Sequence, residues 1–111
     1  MKRKEISPSL RVILQEFSIA LRERYGDRFR GLCLYGSQAR GEAGSESDVD
    51  ILLVLHKVTH PSREIDRIAD LLVDVNLRWG VLLSVLPVDE HTLKASEGPF
   101  WRNVRQEGIA A

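Results

Sequence analysis

The 111-residue sequence predicts an α/β fold, a small mixed sheet of about three to four strands flanked by helices. Three stretches carry apolar residues at helical spacing, three short apolar runs read as strands, and the two kinds alternate along the chain. With a length suited to one hydrophobic core, the pattern implies a single domain over residues 1–111.

Ser7-Pro8 reads as an N-cap followed by a first-turn proline. Leu10, Ile13, Leu14, Phe17 and Leu21 then mark one face of a helix that stops at Gly26. "FRGLCLYG", residues 29 to 36, is the first strand, closed by Gly36. Ser37 to Glu42 reads as a short helix or turn, and residues 43 to 47 as loop. Strand two follows. Side chains alternate across a strand, so Asp48, Asp50, Leu52 and Val54 share one face while Val49, Ile51, Leu53 and Leu55 share the other. The wholly apolar second face requires covering helices, which makes this a central strand. After Pro61-Ser62, the positions Ile65, Ile68, Ala69, Leu72, Val75 and Trp79 trace a helix ending at Gly80. "VLLSVLPV", residues 81 to 88, is a third strand, broken by Pro87. Phe100, Trp101 and Val104 form a last short amphipathic helix after Gly98-Pro99, its aromatic residues completing the core rather than anchoring a partner.

Sixteen basic residues balance sixteen acidic ones. Nucleic-acid affinity comes mainly from Lys and Arg neutralising phosphates, so this balance speaks against a nucleic-acid partner. The single cysteine, Cys33, allows no internal disulfide and suits a reducing cytoplasm as a small buried thiol. The basic opening Met1-Lys2-Arg3-Lys4 lacks a following apolar stretch, and no apolar run has the length of a membrane span. The expectation is a soluble cytoplasmic protein. His56 and His60 fall in loop composition beside Pro61, where a solvated role is favoured over a metal pair.

The chemistry lies in "GSQARGEAGSESDVD", residues 36 to 50. Asp48 and Asp50 flank one valine just ahead of an apolar run, where like charges repel and burial is costly, so something must compensate them. Carboxylates two residues apart on one strand face stand roughly 6 to 7 Å apart, a separation that one or two hard cations bridge. Mg2+ is the natural candidate, because it takes few protein carboxylates and completes its shell with water and substrate phosphates. A glycine at the strand end lets the backbone approach a ligand, and Ser37 offers a hydroxyl and amides to an anion. Arg40, three residues on, adds a cationic fork suited to phosphate oxygens or, equally, a surface ion pair; for Glu42 the ion pair is preferred. A phosphate cradle at Gly36, Ser37 and Arg40 beside metal ligands Asp48 and Asp50 favours phosphoryl or nucleotidyl transfer. The alternatives are a plain strand exit with an N-cap at Gly36-Ser37 and a solvated turn at Asp48 and Asp50.

On that motif the sequence resembles the DNA polymerase β-like nucleotidyltransferases, most closely their minimal bacterial and archaeal branch, the antitoxins of HEPN/MNT toxin–antitoxin pairs. The signature is a Gly-Ser after the first strand and an Asp-x-Asp about a dozen residues later. The ending "GPFWRNVRQEGI" is similar too. The resemblance implies the polymerase β-like palm fold, nucleotide triphosphate held by Gly36 and Ser37, and Mg2+ on the catalytic pair Asp48 and Asp50. It further implies transfer of AMP from ATP to a hydroxyl, a tyrosine, of a HEPN-type ribonuclease toxin, within a hetero-oligomer. One departure stands out. Active members bring a third carboxylate from the later strand, and here Ser84 stands near that place, with Asp89 and Glu90 beyond it. Serine is a poorer metal ligand and no carboxylate base. A catalytically weak or inactive antitoxin that neutralises its partner by binding alone is therefore the second reading.

Overall fold

The Ser7 hydroxyl accepts the Leu10 amide at 3.3 Å and Pro8 takes the first helical turn, so the first helix begins where its cap requires. The computed structural model describes residues 7–36 and 48–110. Helix α1 (Pro8–Tyr25) buries Leu10, Ile13, Leu14, Phe17, Leu21 and Tyr25 along one face, the predicted stripe extended by one turn. A 3-10 turn at Gly26–Arg28 leads into β1 (Phe29–Tyr35). Then come β2 (Val49–Leu55), α2 (Pro61–Trp79), β3 (Leu83–Asp89), α3 (Glu90–Ala95), α4 (Pro99–Glu107) and the two-residue β4 (Ile109–Ala110). The predicted turn over residues 37–42 and the loop over 43–47 lie outside the described residues, and with them Ser37, Arg40 and Glu42.

The sheet runs β3-β2-β1-β4 and is mixed. β1 pairs antiparallel with β2 and β4, while α2 carries the chain across to lay β3 parallel to β2. β2 is central, as its apolar face requires. Val49, Ile51, Leu53 and Leu55 sit under α1 and α2 in the main core, and the last three are fully buried. Each contributes about 1.5–3 kcal/mol by leaving water. The opposite face is covered less completely. There Leu52, Val54, Val88 and Val104 form a smaller cluster with Cys33, Tyr35, Leu93 and Trp101 packed against it.

Three expectations need correction. β3 is not broken at Pro87: it starts at Leu83, two residues later than predicted, and stays in register with β2 through Pro87 to Asp89. The Leu82 carbonyl accepts the Val49 amide at 3.0 Å, so even-numbered residues of this strand turn their backbone groups toward β2 and Pro87 turns outward. On an edge strand a missing outward N–H costs no ladder bond. The predicted stripe on α2 also ends early, because Trp79 is 38% exposed with the Arg78 guanidinium over its ring. In α4 only Trp101 and Val104 pack inward, whereas Phe100 is 42% exposed.

Glu64 is a buried carboxylate that spacing did not mark. Arg28 donates to it at 2.7 Å, Tyr25 donates at 3.2 Å, and Arg67 lies at 3.4 Å. Arg28 also donates to the His56 and Lys57 carbonyls, which ties the end of α1 to the β2–α2 connection. Burial, and then the Glu64 charge, push the Tyr25 hydroxyl up to about 12, so it remains a proton donor. Glu64→Ala leaves one Arg28 donor without its acceptor and the Tyr25 hydroxyl with only the residue-64 carbonyl, 3.4 Å away, and should cost about 2 kcal/mol. Thermal unfolding should then move down by roughly 10 °C, with Glu64→Gln intermediate.

Candidate active site

The antiparallel pairing of β1 with β2 brings together the two halves of the motif. Tyr35 lies opposite Asp50, so Gly36, the next residue, turns over the Asp50 side chain. The Gly36 backbone has φ +72°, a conformation that L side chains rarely adopt. A Cβ at Gly36 would lie 2.5 Å from Asp50 Oδ2, 3.3 Å from its Cγ and 3.4 Å from its Cβ. Two independent constraints, torsion and space, therefore demand glycine at this point. The chain leaves β1 with its backbone flush against a carboxylate.

On its other side Asp50 pairs with Ser84, so Tyr35, Asp50 and Ser84 form one row across three strands. Ser84 is exposed, and the position opposite Asp50 on the neighbouring strand therefore carries a hydroxyl and no carboxylate. Asp89 cannot replace it. It pairs with Leu55 at the far end of the strand, five residues or roughly 17 Å along. The His91 and Val58 amides donate to Asp89 at 2.9 and 3.1 Å and hold its carboxyl below the usual carboxylate range. It caps α3 instead. Glu90 lies 3.2 Å from His56 and 3.6 Å from Arg30.

Asp48 is exposed and Asp50 half-buried. Two residues apart, they face the same side of the sheet by strand alternation. Among the described residues neither carboxylate has a side-chain hydrogen bond or ion pair. Two carboxylates that no described side chain engages, reachable from solvent and beside Gly36, fit a hard divalent cation that keeps the rest of its shell for water and phosphate oxygens. They do not form a complete protein cage, and among the described residues no group of three or more such ligands occurs.

Tyr35 is a residue of this site that motif reading passed over. Burial, and then the charge of Asp50, raise its hydroxyl above the ordinary tyrosine value. The signal was its parity: Gly31, Cys33 and Tyr35 share a face of β1 and meet the Asp50 side of β2. A cavity of about 660 Å³ lies toward the other end of the same face, lined by Arg30, Gly31, Cys33, Lys94 and Arg105 among others. It includes neither Gly36 nor Asp50.

Known proteins are similar to this chain in sequence and in fold. MJ0604 of Methanocaldococcus jannaschii, provisionally named a protein adenylyltransferase, is 34% identical over 96 residues, covering 86% of this chain and 90% of its own. MJ1305 of the same organism, named likewise, is 34% identical over 84 residues, covering 73% of this chain and 56% of its own. A crystal structure of a toxin–antitoxin with AMP-PNP superposes with a TM-score of 0.57 at 19% identity, over 87% of this chain and 72% of that one. A provisionally named nucleotidyltransferase of Sulfolobus solfataricus superposes with a TM-score of 0.58 at 17% identity, over 99% and 89%. The nucleotidyltransferase domain family matches residues 14–103, a span that takes in Gly36, Asp50 and Ser84, and the chain belongs to that family.

Proposed function

We propose that this chain transfers AMP from ATP to a hydroxyl group of a partner protein, a tyrosine of a HEPN-type toxin, and so acts as a cytoplasmic antitoxin in a complex with it. The observation that carries the reading is the Gly36 turn lying on the Asp50 carboxylate, where a Cβ would stand 2.5 Å from the oxygen. Ser37 follows directly, so its hydroxyl and amide are available to a triphosphate whose charge is neutralised next to Asp50. Arg40 adds a cationic fork to the same triphosphate. Asp48 and Asp50 hold Mg2+, which neutralises the phosphates and polarises the α-phosphorus when bound. The two archaeal relatives' names and the neighbour solved with AMP-PNP support nucleotide chemistry and a toxin partner.

The acceptor oxygen bonds to the α-phosphorus as the bond to pyrophosphate breaks. Ser84 stands where a carboxylate would take the hydroxyl proton, so that proton passes to a phosphate oxygen of the nucleotide. Incubation with α-labelled ATP, Mg2+ and the toxin encoded beside the gene should leave label on the toxin. Absence of label there, and on any other protein hydroxyl offered, rejects the proposal.

Ser84 opposite Asp50 favours a second reading, in which the chain silences its partner by occupancy alone. The two readings separate on Ser84→Asp. For an enzyme running on two carboxylates, a third ligand and base should raise transfer on the order of tenfold or more. A binding-only antitoxin should neutralise unchanged with Asp48→Asn and Asp50→Asn combined.

A further inference from the structure

Beside the carboxylates stands a set of aromatic rings that the transfer chemistry does not use. The Phe100 ring packs edge-to-face on Tyr35, centroids 5.7 Å apart and planes at 84°, and on Trp101 at 5.0 Å and 85°. Tyr35 is the residue paired with Asp50, and its hydroxyl responds to the Asp50 charge. Trp101 is anchored against the smaller apolar cluster formed around Leu52, Val54, Val88 and Val104. Phe100 is thus braced on two sides by rings that are themselves held, yet 42% of it remains open to solvent. Its site is the first turn of α4, directly after Gly98-Pro99, at the same end of the sheet as Asp50. A large apolar side chain that is fixed but uncovered, and one ring away from the metal-ligating carboxylate, is suited to a flat aromatic ligand group.

From this geometry we infer that Phe100, braced by Tyr35 and Trp101, is the platform on which the purine base of the nucleotide stacks. The inference rests on the nucleotidyl-transfer reading of the Gly36–Asp50 site and adds the base to the phosphates that site takes. A nucleotide whose phosphates lie at Asp50 carries its base beyond the ribose, and Phe100 stands one ring from Asp50's strand partner, its centroid 5.7 Å from that of Tyr35. Stacking discriminates by ring area rather than by hydrogen bonding, so purine triphosphates bind more tightly than pyrimidine ones, and ATP and GTP differ little on this platform.

Calorimetry with Mg2+ measures the inference by comparing ATP with inorganic tripolyphosphate, which offers the same charge and no base. The wild type should bind ATP roughly tenfold or more tightly than tripolyphosphate. Phe100→Ala should bring the two together while leaving tripolyphosphate affinity unchanged, Phe100→Tyr should keep the preference, and Phe100→Leu should lose most of it. The unchanged tripolyphosphate affinity reports that each variant is folded. Equal binding of ATP and tripolyphosphate by the wild type, or an ATP preference that survives Phe100→Ala, overturns the platform and leaves the phosphate and metal site standing. If neither compound binds the wild type, the transfer reading fails and the platform with it.

Discussion

Asp50→Asn should reduce nucleotidyl transfer by about 10²–10³-fold or more, with little change in thermal stability. Asp50 is held in register between Tyr35 and Ser84 and is only half-buried, so a neutral amide of the same shape fits the row. What it loses is the charge that would face the proposed cation, and Ser84 supplies none in its place. Stability should if anything improve slightly in the absence of Mg2+, because one of two neighbouring like charges is gone. Label transfer from α-labelled ATP and a melting curve, each with and without Mg2+, measure both halves. Transfer retained within tenfold would show that the cation is not held here, and Mg2+ should raise the melting temperature of the wild type but not of the variant.

Gly36→Ala should lower transfer by about a hundredfold while lowering the melting temperature by only roughly 5–10 °C. The left-handed backbone costs an L side chain about 1–2 kcal/mol, and the new methyl group would stand 2.5 Å from Asp50 Oδ2. That oxygen is the far end of a movable side chain, so the fold relieves the contact by rotating the carboxylate. The rotation would carry the oxygen away from the proposed metal position. Geometry at the reacting centre is thus sacrificed before the fold is. Activity that falls only in proportion to the folded fraction would contradict this account.

Much of this was legible in the residues. Ser7-Pro8 and Gly26 marked α1, and the alternation from Asp48 to Leu55 correctly gave β2 a wholly apolar face and a central place in the sheet. Gly36 and Asp50 were singled out by type and spacing, and strand pairing brings them into contact. Ser37 and Arg40 rest on the motif alone, outside the described residues. Less visible were features that depend on which strands become neighbours. Pro87 reads as a strand breaker until β3 proves to be an edge with that position turned outward. Helix α3, at six residues, has too few turns for a periodic signal, and its sign in the sequence is Asp89 as a cap. β4 spans two residues and exists only because β1 offers it an edge. Glu64 looks like any polar helix position, and its burial follows from Tyr25 and Arg28 converging from another element. Phe100 and Trp101 are adjacent and similar in character, but a helix turns about 100° per residue, so one packs and the other faces out.

Pro87, buried but with its backbone nitrogen on the outer side of β3, also bears on how copies of this protein meet. A bare sheet margin is a template on which a second molecule can nucleate fibrils, and each amide it presents strengthens that hazard. By withholding one amide near the middle of β3, Pro87 interrupts the docking of a foreign strand along that side without weakening the native ladder, which makes the proline a guard against self-association.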